Sequence, residues 1–156
     1  RRQPIASDLR LVLAVSKIVR DLGRMGDELD KVGSLSLECF TSGSDVGVTE
    51  IQRIAEQVAK MLNESLNAFA RLDLDLAREI FQREREVDKV YQSALRALAT
   101  FMIEDPRNIG RILNIVWIAR SLERVGDHAT NIAEYVIYLV QGVDVRHPAV
   151  NQNSFD

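Results

Sequence analysis

From Ile115 to Leu139 the chain reads IVWIARSLERVGDHATNIAEYVIYL. Ile115, Ile118, Leu122, Val125, Ala129, Ile132, Val136 and Leu139 recur there at alternating spacings of three and four. A period near 3.5 residues lays all of them along one seam of a long helix. Two further stretches carry the same pattern. Leu11, Val15, Ile18, Leu22, Met25, Leu29 and Val32 form one seam. Ile51, Ile54, Val58, Met61, Ser65, Ala68 and Leu72 form another, with a single polar interruption at Ser65.

The breakers are placed to match. No glycine or proline falls between Val48 and Asp105, so nothing there forces a positive φ or removes a backbone donor. The reading is four helices, at about 7–41, 49–72, 74–103 and 106–141. Residues 41–47, TSGSDVG, form the one substantial loop. Thr49 with Gln52 reads as a capping box, Asp73 or Asp75 as a cap for the third helix, and Asp105 before Pro106 as a cap with proline at the first helical position. Gly142 can end the fourth helix. Short connections make neighbouring helices antiparallel. The fold class is therefore all-α, an antiparallel helical bundle.

An internal repeat refines this. Residues 8–27 align without a gap on 108–127, with identities at Leu13/Leu113, Ile18/Ile118, Arg20/Arg120, Leu22/Leu122, Arg24/Arg124, Gly26/Gly126 and Asp27/Asp127. Shared amphipathicity accounts for the leucines and isoleucines but not for the arginines, glycine and aspartate. The second copy follows two helices and the first follows none. Residues 1–45 then read as the last helix of an incomplete three-helix repeat, 46–142 as a complete one, and 143–156 as a polar tail. On this reading the seam of the first helix lacks the two helices that would cover it, and a second copy is expected to pack there.

Composition narrows the function. The 156 residues are 46% hydrophobic and 28% charged, which fits a globular domain with a sizeable core. A net charge of −3 gives no basic field for nucleic acid. One cysteine, Cys39, excludes a disulfide framework and fits a reducing compartment; it reads as a small buried hydrophobe. No apolar run approaches the ~20 residues of a membrane span. The first ten residues lack the apolar run of a signal peptide, and the chain opens with Arg1 rather than Met, as a fragment or processed chain would. No glycine-rich phosphate loop or nucleophile motif is present.

The chemistry that remains is carboxylate chemistry. Glu84 and Asp88 interrupt the third helix's stripe of Ala77, Phe81, Tyr91, Leu95, Leu98 and Met102. They stand one turn apart, so both acids point the same way. Glu123 and Asp127 repeat the spacing in the fourth helix, and Asn131 and Glu134 continue that strip. Two such pairs on adjacent helices offer oxygen ligands to a hard or borderline metal, magnesium or manganese among them. The competing reading is an ion-pair network, since Arg83, Arg85, Arg120 and Arg124 interleave with the acids. His128 reads as a surface or interface residue, His147 lies in the tail, and Trp117 reads as packing. No Glu-x-x-His pair supports a ferritin-like di-iron oxidase site.

The stretch RSLERVGDHATNIAEYVIYLVQG, from Arg120 to Gly142, resembles the C-terminal helix of the PhoU family, and RQPIASDLR, from Arg2 to Arg10, resembles the turn before that family's third helix. The resemblance runs through most of the chain. It implies two three-helix bundles related by an internal repeat, of which this chain looks like the last four helices of six. It implies a cytoplasmic, usually dimeric, non-enzymatic regulator that restrains phosphate uptake and the phosphate-starvation response. Its implied partners are the phosphate transporter's ATPase subunit and a sensor histidine kinase. It also implies Glu/Asp-x-x-x-Asp motifs that hold multinuclear iron or zinc, matched here by Glu84 with Asp88 and by Glu123 with Asp127. In the first repeat the motif ending at Asp27 has Gly23 where the acid belongs, and Asp21 points elsewhere round the helix. An alternative is a carboxylate-rich metal protein with a redox or storage role.

Overall fold

A computed structural model describes residues 3–41 and 43–142. It contains α1 (Gln3–Phe40), α2 (Val48–Arg71), α3 (Leu74–Glu104) and α4 (Ile109–Gln141), with a short 3-10 turn at Pro106–Asn108 before α4. The expected all-α antiparallel bundle is what forms. The tail from 143 onward, with His147, lies outside the described residues.

Each junction has a local cause. Asp73 caps α3 by accepting from the Leu76 amide at 3.0 Å. Asp105 caps the 3-10 turn by accepting from the Arg107 amide at 3.1 Å, so proline starts that turn and α4 begins three residues later than the sequence suggested. Gly142 ends α4 with a φ of 68°. The Thr49–Gln52 capping box does not form. Helix α2 starts one residue earlier, at Val48, and Gly47 takes the cap position at φ 83° with no side-chain cap. A Cβ there would stand 2.8 Å from Ile115 Cδ1 and 3.1 Å from Leu98 Cδ2. Backbone conformation and close approach both require glycine at that point.

Arg111 fastens the loop before α2. Its guanidinium donates to the carbonyl oxygens of Cys39 and Ser44 and lies over the Phe40 ring, 5.4 Å from its centroid. Cys39 is buried beside it, as read.

Helices α2, α3 and α4 enclose a core of Ile54, Val58, Met61, Ile80, Leu98, Ile112, Ile115 and Val136 among others. The α2 and α4 seams are buried as their periodicity indicates, although Leu72 lies exposed beyond the end of α2 and Leu139 is half-buried near the end of α4. The α3 stripe holds at Ala77, Tyr91 and Leu98, but between them the buried positions fall one residue away, at Ile80, Val87 and Ala94 rather than Phe81, Asp88 and Leu95. Ala77, Ile80, Val87, Tyr91, Ala94 and Leu98 are the buried set, which moves Glu84 and Asp88 to the edge of the core.

Helix α1 runs antiparallel to α4: Cys39 meets Arg111, Glu28 meets Arg124, Asp21 meets His128 and Lys17 meets Tyr135. Its inner face is Ala14, Ile18, Asp21, Met25, Glu28 and Cys39. The seam expected for α1 therefore divides. Ile18 and Met25 pack on α4, while Leu11, Val15, Leu22 and Leu29 are exposed, together with Val12 and Val19. Trp117 departs from the packing role expected of it and is 59% exposed on α4.

Candidate metal centre

The four acids singled out in the sequence come together. Glu84 and Asp88 of α3 and Glu123 and Asp127 of α4 line one depression of about 410 Å³, with Met61 and Val87 as apolar wall and Arg85 and Lys89 also lining it. One turn of helix separates the members of each pair. Antiparallel packing of α3 on α4 then sets the pairs side by side.

The site carries concentrated negative charge. Burial, then the neighbouring Asp127 and Asp88, push the Glu84 carboxyl above its usual range, against a hydrogen bond from Thr130. Burial raises Glu123 as well. Asp127 and Asp88 add to the rise, while Arg120 and the Tyr91 hydroxyl oppose it. Asp127 is exposed as a residue yet its carboxyl is also raised, by desolvation and by Asp88, against His128, Arg120 and Arg124. Like charges held close disfavour ionisation of the whole group.

The interleaved arginines account for only part of the balance. Arg83 pairs with Glu64 across α2 and α3, away from the four acids. Arg124 stands 3.6 Å from Glu28. Arg120 approaches Glu123 Oε2 at 3.6 Å, beyond hydrogen-bond range, and that buried oxygen has no hydrogen-bond partner. A carboxylate oxygen left so is a donor atom suited to a cation. As the side chains stand, no three acids, histidines or cysteines among the described residues close round a point that could hold a metal ion. The oxygen atoms are of the kind a hard cation takes, and binding one would require the side chains to rotate from the positions seen here.

The further acids and amide named from the sequence lie apart from this depression's lining. Asp27 is exposed on α1, and Gly23 is exposed beside it. Asn131 donates its amide to Asp21 at 3.1 Å. Glu134 is half-buried further along α4. Sequence reasoning missed Tyr91 and Thr130 as partners of Glu123 and Glu84. It also missed the contact of Asp21 with His128, 2.7 Å between Oδ1 and Nδ1. The signal for the last was present: Asp21 stands three residues from Ile18 and four from Met25, on their face.

Among the described residues no helix is long and apolar enough to cross a membrane. A family model for the PhoU domain matches residues 51–136. The chain is 56% identical over 148 residues to the phosphate-specific transport system accessory protein PhoU homolog of Pseudomonas aeruginosa, covering 94% of this chain and 61% of that one. It is 41% identical over 147 residues to the phosphate-specific transport system accessory protein PhoU of Escherichia coli K12, with 94% and 61% covered. The crystal structure of PhoU from Pseudomonas aeruginosa superposes with a TM-score of 0.85 at 54% identity, over 92% of this chain and 69% of that chain. The chain spans about three-fifths of the length of the relatives it matches.

Proposed function

The chain belongs to the PhoU domain family, and on that premise we propose that it is a non-enzymatic regulator of phosphate uptake and of the phosphate-starvation response. It works in the cytoplasm as an adaptor between the phosphate transporter's ATPase subunit and a sensor histidine kinase. The observation that carries this reading is the 56% identity, across 94% of the chain, to a protein named as an accessory of phosphate-specific transport. An adaptor acts through its surface, and the long exposed faces of α1 and α4 supply one. The test is co-precipitation of the purified chain with each partner subunit separately. Retention by both supports the adaptor role; retention by neither, at micromolar concentrations, refutes it.

Glu84, Asp88, Glu123 and Asp127 are the residues that would hold a metal, iron or zinc as a multinuclear cluster or magnesium or manganese singly. The support is their common depression and the buried Glu123 Oε2, which accepts no hydrogen bond and has Arg120 no nearer than 3.6 Å. Bound metal would neutralise the acids and tie α3 to α4. Because a ligand bound only by the folded state stabilises it, loading should raise Tm, and Asp127→Ala should remove the rise. No metal by elemental analysis and no thermal shift after loading would leave the ion-pair reading of these acids in its place.

A further inference from the structure

Arg120 and Arg124 of α4 each stand three residues before an acid, Glu123 and Asp127. That spacing lets an arginine pair along its own helix. Arg120 does so, with Glu123 Oε2 at 3.6 Å. Arg124 does not. Among the described residues its ion pair is with Glu28 of α1, Nη1 to Oε1 at 3.6 Å, across the α1–α4 seam. Glu28 lies on the inner face of α1 and is 9% exposed. Lys31 approaches the same oxygen at 3.4 Å, from a side chain that is 56% exposed. The other oxygen, Oε2, is buried with no hydrogen-bond partner, so the carboxylate can take more of a guanidinium than it now holds. Asp127 is left on the wall of the acid depression, with Arg124 acting on it only through space.

We propose that Glu28, although outside the lining of the depression, sets the metal affinity of Glu84, Asp88, Glu123 and Asp127 by holding Arg124 away from Asp127. This rests on the reading of those four acids as a metal centre. An arginine paired with Asp127 would have to be displaced before a cation could use that carboxylate, and its charge would oppose the cation throughout. Glu28 gives the guanidinium another partner, on another helix. The relation is reciprocal, as any coupling between two sites must be. A metal that neutralises Asp127 removes its pull on Arg124, and the unpartnered Oε2 of Glu28 then receives the guanidinium more closely. Loading of the acids on α3 and α4 therefore tightens the seam that joins the two copies of the repeat. The metal state of the regulator is read in how firmly α1 is held.

The experiment measures the affinity of zinc(II) and of manganese(II), each metal alone, for the whole chain and for Glu28→Gln, Arg124→Gln and the double variant. Glu28→Gln should bind roughly two- to fivefold more weakly than the parent, the range of a solvent-accessible ion pair. Arg124→Gln should bind at least as tightly as the parent. In the Arg124→Gln background Glu28→Gln should lose most of its effect, because the arginine it releases is gone. Unchanged affinity in Glu28→Gln would overturn the proposal. So would a weakening that stays more than half as large, on a logarithmic scale, without Arg124, since that is the mere loss of a negative charge. A parent that loads neither metal refutes the metal reading and the proposal together, whereas a loaded parent indifferent to Glu28 refutes the proposal alone. If Glu28→Gln does not fold, hydrogen exchange decides. Metal loading should slow amide exchange around Glu28 by at least about twofold in the parent and not in Arg124→Gln. Equal slowing in both, or none in the parent, overturns the proposal.

Discussion

Replacing Gly47 with alanine should be among the most damaging single-methyl additions in this chain. Two costs combine. The φ of 83° at Gly47 is left-handed, which costs a Cβ-bearing residue about 1–2 kcal/mol. The new methyl would also stand 2.8 Å from Ile115 Cδ1 and 3.1 Å from Leu98 Cδ2. Ile115 and Leu98 are both fully buried, so neither can yield without repacking, at about 1–3 kcal/mol. The total of roughly 2–5 kcal/mol corresponds to a Tm loss near 10 °C for a chain of this size. Gly43→Ala supplies the control. Its φ is 73°, but nothing lies within 4 Å of the added methyl, so only the backbone cost applies. Urea titration of both variants separates the two costs. If Gly47→Ala unfolds at the same denaturant concentration as Gly43→Ala, the close approach of the loop to α4 is wrong.

The raised carboxyls of Glu84, Glu123 and Asp127 mean that the folded state holds more protons than the unfolded one in the upper carboxylate range. Their effect is thus destabilising at neutral pH and fades as pH falls. Metal-free Glu84→Gln should melt roughly 2–4 °C higher than the parent at pH 7, with no gain below about pH 4; a lower Tm at pH 7 would contradict the crowded-acid reading. Glu28 has the opposite sign. It is held below its usual range, burial being outweighed by Ser121, Lys31 and Arg124, so Glu28→Gln should lose stability at neutral pH and approach the parent's as pH falls. The outward face of α1, with Val12 and Val19 both 61% exposed, is an apolar strip of the kind that associates in water. Light scattering should find a species larger than the 17.6 kDa chain, reduced in size by Val19→Glu. A parent already monomeric at that mass would show that the strip does not drive self-association.

The helices were legible because their seams are long and their breakers few. The α2 and α4 seams needed no tertiary knowledge, since the apolar period of each coincides with the face it buries against the three-helix core. Helix α1 was harder, because it carries two faces and the more apolar of them is not the one that meets α4. Its inner stripe, Ala14, Ile18, Asp21, Met25 and Glu28, contains two acids, and a search for apolar periodicity passes over it. The same preference for apolar residues placed Glu84 and Asp88 within the α3 stripe, whereas Ile80 and Val87 carry it one position round. The acid pairs themselves were legible as i, i+4 spacing. Their convergence with Tyr91 and Thr130 was not, because that depends on the stagger of α3 against α4. The cap at Gly47 was hidden for a related reason: the Thr49–Gln52 pattern is a local preference, and packing against Ile115 set the helix start instead.

The pairing of α1 with α4 also orders events during synthesis. Helix α1 is complete at Phe40, but α4 does not begin until Ile109 and ends at Gln141. At about 5–20 residues per second, α1 waits roughly 5–20 s for the partner that buries its inner face. Helices α2 and α3 emerge in that interval and can form their hairpin locally. The last helix then completes two packings at once, closing the core over α2 and α3 on one side and receiving α1 on the other. A nascent chain stalled before Ile109 would leave the inner face of α1 open, which makes that face a surface a ribosome-associated chaperone would cover.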